Sequence, residues 1–229
     1  MGHREGASKE RTHYEKTDLS GFYEELDEKM NLVKDQLLER FEIQCNKRVY
    51  NFPFLLGQGV WIDSEKLKPT DRLRKVLRHG TLTFGFIGLA ECLKALIGKH
   101  HGEDPEAQKL GLEIITHMRE KCDEYSQKYH LNFGVYYTPA ENLCYTAMKK
   151  FKEKYGEIEN VSDREYFTNS MHVPVWKKVS AFDKIDIEAE LTGYSNAGCI
   201  TYVELTSSMK GNIDALETLV DYAMEKDIP

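Results

Sequence analysis

Thr138-Pro139-Ala140-Glu141-Asn142 lies between a strand pattern and a helix pattern and is the sharpest local signal in the chain. Thr138 suits an N-cap, Pro139 the first helical position and Glu141 the third, which completes a capping box. The free backbone N–H groups and dipole of such a helix start can also receive a phosphate or another anion. Glu141 opposes that use, because a carboxylate repels an anion unless a metal ion or a hydroxyl lies between them. Two readings stay open on spacing alone: a well-capped helix start, or an anion site built on one. The second constellation is Tyr166-Phe-Thr-Asn-Ser-Met-His-Val-Pro174. Thr168, Asn169, Ser170 and His172 put four hydrogen-bonding side chains in one short segment. In an extended chain Thr168, Ser170 and His172 would share a face; ordinary turn polarity is the competing reading. Nearby, Ser162 and Glu165 read as a plain capping box.

Other reactive side chains carry less. Adjacent His100 and His101 point to different sides of a helix or strand, and no third ligand stands at a familiar spacing, so they make a poor chelate. A helix C-terminus, which favours cationic side chains, accounts for them. The five cysteines, Cys45, Cys92, Cys122, Cys144 and Cys199, are widely spaced and include no C-x-x-C pair, so neither a zinc knuckle nor a dithiol motif is present. They read as free thiols of a reducing cytoplasm. Cys144, in a first helical turn, could have a dipole-lowered pKa, against the plainer role of a small packed apolar group. Gly57-Gln-Gly59 is followed by no helix start, and no nucleophile elbow, Walker loop or dinucleotide fingerprint occurs. No catalytic residue and no metal ligand is therefore assigned.

The elements that must position these groups follow from periodicity. Residues 1–17 are polar and aperiodic and read as a flexible lead-in. From Asp18 to about Cys45, Leu19, Phe22, Tyr23, Leu26, Met30, Val33, Leu37 and Phe41 form one apolar stripe on a helix roughly 40 Å long. Residues 46–80 read as a long irregular stretch, of the kind usually tied to function or a partner. A strand–helix rhythm follows: a strand over 82–88, a helix from Leu89 to Ile97 stopped by Gly98, and a helix opened by Asp104-Pro105. A strand over 132–137 and a helix from Glu141 to Tyr155 come next. Residues 166–175 read as extended, 198–205 as a third strand, and Asn212 as the cap of a helix to about Lys226. Strands alternating with helices imply α/β with largely parallel pairing.

Composition bounds the rest. With 31 Lys+Arg against 38 Asp+Glu in 229 residues the net charge is −7, which argues against a dedicated nucleic-acid binder. The 41% of apolar residues exclude a disordered chain. No run of about 18 apolar residues suggests a membrane span, and the charged N-terminus is no signal peptide.

Six motifs in order carry a resemblance. They are Asn51-Phe-Pro-Phe-Leu-Leu-Gly-Gln-Gly-Val-Trp61, His79-Gly-Thr-Leu-Thr-Phe-Gly-Phe-Ile-Gly-Leu-Ala-Glu91, Gly98-Lys-His-His-Gly-Glu103, Thr138–Asn142, Tyr166–Pro174 and Asn196-Ala-Gly-Cys-Ile-Thr-Tyr-Val-Glu204. Together, over Asp18 to Pro229, they resemble the anaerobic, class III glycyl-radical ribonucleoside-triphosphate reductases. That resemblance implies part of a ten-stranded α/β barrel with long flanking helices, as a single incomplete domain over residues 18–229. It implies an oxidoreductase that makes deoxyribonucleoside triphosphates for DNA synthesis by glycyl and thiyl radical chemistry, with formate or a dithiol system as reductant.

By the same resemblance Thr138, Ala140, Glu141 and Asn142 lie near the substrate triphosphate, and Thr168, Asn169, Ser170 and His172 line a neighbouring turn. None of the five cysteines matches the family's thiyl-radical cysteine, and its four-cysteine zinc site and glycyl-radical loop are expected beyond Pro229. No cofactor is thus expected in this chain, whereas the full enzyme uses a glycyl radical, structural zinc and magnesium nucleotides. The implied partners are a ribonucleoside triphosphate, nucleotide effectors, a second copy in a homodimer and a radical-SAM activating enzyme, in the cytoplasm, without membrane or nucleic acid. A piece of the enzyme, inactive alone, is the leading expectation. A non-catalytic nucleotide-binding or accessory module that pairs with a separate radical-bearing chain is the alternative. Another glycyl-radical enzyme with a similar barrel is opposed by the Thr138–Asn142 and Tyr166–Pro174 segments.

Overall fold

A computed structural model describes residues 18–205, 208 and 210–228. The lead-in expected over 1–17 lies outside the described residues. The chain divides into two compact units, one built mainly from 85–119 and 135–229, the other from 20–84 and 120–134.

In the second unit, α1 (Leu19–Cys45) follows the expected stripe: Met30, Phe41 and Cys45 are buried. Residues 46–80 form two 3-10 turns and the short helix α2 (Arg74–Leu77) rather than an open loop. The stretch organises itself because it carries a small core of its own: Val49, Leu56, Leu73 and Val76 are buried, with Trp61, Leu67 and Leu77 against them. Trp61 Nε1–H donates to the Val76 carbonyl at 2.9 Å, which satisfies the indole at the edge of that core. Phe84, Tyr125 and Phe133 form an aromatic cluster, with ring centroids 5.8–6.2 Å apart.

Strands β1 (Thr81–Gly85) and β2 (Asn132–Tyr136) pair in a two-stranded sheet. The Asn132 amide reaches the Gly80 carbonyl at 3.2 Å at one end, and at the other a Cβ on Gly85 would lie 3.0 Å from Thr138 Cγ2. The strands therefore run in the same direction, as the alternating pattern requires.

In the first unit, α3 (Leu89–Ile97) and the start of α4 (Pro105–Tyr129) carry the expected caps. Gly98 closes α3 at φ 79°, and Asp104 Oδ1 accepts the N–H groups of Glu106 and Ala107 at 2.9 and 3.3 Å. A Cβ on Gly111 would lie 3.3 Å from Leu93 Cδ1, so α3 and α4 approach closely at that point. Helix α5 (Glu141–Tyr155) follows β2, and α6 (Ala181–Thr192) and α7 (Ile213–Glu225) complete the order. Phe182 and Tyr222 pack edge to face at 5.0 Å, and Asp186 takes both Tyr222 Oη–H at 2.8 Å and Lys226 Nζ at 2.6 Å, which joins α6 to α7.

Several expectations are corrected. Residues 198–205 are not a strand. Ala197 N–H donates to the Val135 carbonyl and Tyr137 N–H to that of Gly198, at 3.0 and 3.1 Å, but Gly198 turns at φ 114° and the pairing does not continue into a ladder. Residues 166–175 are irregular, with one bridge between Ile87 and Asn169, because Ser170 at φ 33° breaks the extension. Helix α6 was not anticipated. Its start is marked by Ser180, whose hydroxyl accepts the Asp183 N–H. The capping roles of Thr138 and of Ser162 also fail. Ala140 stands at the N-cap of α5 without a side-chain cap, and Ser162 joins a turn by accepting the Ile158 N–H at 2.8 Å. Asn212 precedes α7 as expected but makes no side-chain cap. A partial barrel is not shown by the two-stranded sheet; the α/β character is.

Candidate functional site

The segment 167–173 is pinned from both ends by buried carboxylates. Glu91, on α3 and 4% exposed, accepts through Oε1 the Thr168 N–H at 3.1 Å and the Thr168 hydroxyl at 2.7 Å. Glu188, on α6 and fully buried, accepts the Val173 N–H through Oε1 at 3.0 Å, and its Oε2 stands 3.2 Å from His172 Nδ1. The backbone adds two ties, Gly88 N–H to the Thr168 carbonyl at 2.7 Å and Leu89 N–H to the Ser170 carbonyl at 3.3 Å. These ties hold Ser170 in a left-handed conformation that a serine rarely adopts, and its buried hydroxyl has no partner among the described residues.

Asn169 connects this segment to the start of α5. Its Oδ1 accepts the Ala140 N–H at 2.9 Å and the Cys144 thiol at 3.1 Å. The first helical bond of α5 runs from Cys144 N–H to the Ala140 carbonyl at 2.8 Å. The amides of Glu141, Asn142 and Leu143 precede it and, among the described residues, are the open first-turn donors of the helix.

Beside this junction is a cavity of about 520 Å³. Of the sequence-assigned residues, Glu141, Thr168, Asn169 and His172 line it; Thr138, Ala140, Asn142 and Ser170 do not. Aromatic side chains, Tyr166, Phe167 and Trp176 among them, form much of the wall. Its charged groups are Glu141, Lys184 and Glu204, and Lys184 Nζ meets Glu204 at 2.7 Å and Glu188 at 3.8 Å. Lys184 and Glu188, on the unanticipated helix, are the residues sequence reasoning missed. The available signal was their i, i+4 spacing with Ile185 and Leu191 after the Ser180 cap. Charged members inside an apolar stripe concealed it.

Electrostatics corrects one further expectation and decides between two readings of another. Burial holds His101 down to about 3 and His100 down to about 4, so both are neutral rather than cations at a helix end. His101 Nε2–H donates to the Met171 carbonyl at 2.8 Å, and His100 Nδ1 accepts the Gly102 N–H at 3.0 Å. Burial pushes the Cys144 thiol up to about 11, so the packed-thiol reading holds and the dipole-activated one does not. Among the described residues no group of three or more His, Cys, Asp or Glu is placed to hold a metal ion. A structural zinc therefore does not fit these side chains. No helix of the described residues is long and apolar enough to cross a membrane.

Comparison with known proteins places the chain. A family model described as anaerobic ribonucleoside-triphosphate reductase matches residues 10–229. The reductase of this name from Enterobacteria phage T4 is 34% identical over 206 residues, covering 89% of this chain and 32% of its own length. That of Salmonella typhimurium is 32% identical over 213 residues, covering 92% and 30%. The chain thus spans about 30% of the length of these relatives. Among solved structures, the anaerobic ribonucleotide reductase of Thermotoga maritima with dATP bound in the specificity site aligns with a TM-score of 0.64 at 19% identity, over 93% of this chain and 34% of its own. The same enzyme with glycerol in the active site aligns at 0.61 and 17%, over 93% and 33%. At that identity the structural likeness speaks for the fold, and the family model for the lineage: the chain belongs to the anaerobic ribonucleoside-triphosphate reductase family.

Proposed function

We propose that this chain supplies scaffold and part of the substrate grip of an anaerobic ribonucleoside-triphosphate reductase, an oxidoreductase that makes deoxyribonucleoside triphosphates. In this reading residues 18–229 form a portion of the family's ten-stranded α/β barrel. The radical cysteine, glycyl-radical loop and structural zinc belong to the rest of the full enzyme. The full enzyme acts in the cytoplasm as a homodimer, responds to nucleotide effectors and depends on a radical-SAM activating enzyme. The chain alone should give no turnover with that activating enzyme and formate; deoxynucleotide formation would overturn this division of labour.

The observation that carries the substrate reading is the junction at Asn169, which sets the open amides of α5 beside the 168–172 segment at one cavity. Thr138, Ala140, Glu141 and Asn142 form the phosphate-facing turn in this account, and Thr168, Asn169, Ser170 and His172 the neighbouring one. A backbone turn and a helix dipole favour anions. Glu141 then faces the magnesium of the nucleotide or a hydroxyl rather than a bare phosphate.

Ala140→Asp tests this without disturbing the fold, because Asp is among the favoured N-cap residues. It sets a negative charge where the phosphates are proposed. Calorimetric titration of magnesium CTP should show at least about a tenfold loss of affinity, about 1.4 kcal/mol, with an equal or higher melting temperature. Equal binding by wild type and variant would remove this turn from the site.

A further inference from the structure

Helix α6 does more than close the core. It delivers Glu188, with no exposed surface, to within 3.2 Å of His172 Nδ1. Glu188 Oε1 is committed to the Val173 N–H at 3.0 Å, the amide next to the histidine, so the carboxylate grips both ring and backbone of the same site segment. Lys184, one turn earlier on α6, stands 3.8 Å from Glu188 Oε1 and 2.7 Å from Glu204, and keeps the buried carboxylate paired. Tyr202 packs edge to face on the imidazole at 5.3 Å, which limits ring rotation. The hydrogen bond of the His172 ring among the described residues is the one at Nδ1, and His172 lines the cavity.

We propose that Glu188 is a positioning residue that holds His172 by Nδ1–H, so that Nε2 is the atom offered to a nucleotide in the cavity. A free neutral imidazole in water favours the opposite tautomer, with the proton on Nε2, so the proposal assigns Glu188 a measurable effect. The hydrogen bond made by one ring nitrogen decides what the other can do. The nucleotide part of this inference rests on the substrate reading above; the tautomer part does not.

The test is nitrogen-15 NMR of the histidine rings of the full 229-residue chain at pH 8, above the ordinary histidine range, with calorimetry on the same samples. In wild type, His172 should carry its proton on Nδ1, and magnesium CTP should shift the Nε2 resonance. In Glu188→Gln the single amide oxygen stays with the Val173 N–H and the NH2 group faces the ring, so the proton should move to Nε2 and CTP affinity should fall about tenfold. A wild-type ring protonated on Nε2 alone, or an unchanged tautomer in Glu188→Gln, would overturn the positioning role. CTP binding with a stationary Nε2 resonance would overturn the ligand contact while leaving the substrate reading intact. Absence of CTP binding to wild type would overturn the substrate reading and this contact together. The wild-type measurements need no variant, so they decide the matter even if Glu188→Gln fails to fold.

Discussion

Thr168 hands its amide and hydroxyl protons to one oxygen of Glu91, while the other oxygen, Oε2, is buried without a partner among the described residues. Burial pushes this carboxyl above the usual range. A raised carboxyl pKa contributes stability that is present below about 4.5 and lost as pH rises through the folded value. Glu91→Gln imitates the neutral form, so in urea denaturation at pH 8 it should be at least as stable as wild type, whereas Glu91→Ala should cost about 2–4 kcal/mol. His101 works with the opposite sign. Its folded pKa lies far below 6.5, so its contribution is complete above that value and is lost as pH falls toward about 3. Between pH 6.5 and 5 the wild type should lose about 2 kcal/mol relative to His101→Gln, at about 1.4 kcal/mol per unit. Parallel pH profiles for the two proteins would show that His101 is not buried neutral. At this scale the sequence disclosed the residues but not their bonds. Thr168, Asn169 and His172 were legible as a polar cluster, yet their partners, Glu91, Ala140 and Glu188, lie 77, 29 and 16 positions away. Only folding brings such pairs together.

Local signals read well where the element is held by its own side chains. The bounds of α3 and α5 were legible to the residue, because periodicity and the glycine stops Gly98 and Gly156 act within one turn. Residues 198–205 have strand composition but no ladder partner among the described residues, and pairing rather than propensity makes a strand. Helix α6 was hidden because its buried face includes Lys184 and Glu188. Its cap gives a direct test: Ser180→Ala removes the acceptor of the Asp183 N–H and should cost about 1 kcal/mol in denaturant melts. A loss below a few tenths would mean that α6 is held by packing alone.

Taken whole, the molecule leaves much apolar surface uncovered. On α7, Ile213, Val220 and Met224 are 65%, 52% and 69% exposed, and in the other unit Phe54, Val60 and Ile62 are 66%, 57% and 61% exposed. Ile213, Val220 and Met224 share one face of α7 by their spacing, and a contiguous exposed apolar face drives association. Light scattering should therefore show a mass that grows with concentration, and Val220→Lys with Met224→Lys should reduce it. A concentration-independent monomer would show that these side chains are tolerated in water. The family could be read from six ordered motifs and the α/β character from the strand–helix rhythm, whereas a partial barrel is not decided by two strands.

All five cysteine thiols are unbridged, and each is buried or half-buried in the folded chain. Shelter is their only protection, so every excursion to the unfolded state releases five nucleophiles at once. In air, the loss of recoverable protein should then follow the population of that state, and a reductant added before denaturation, rather than after, should decide whether the chain returns.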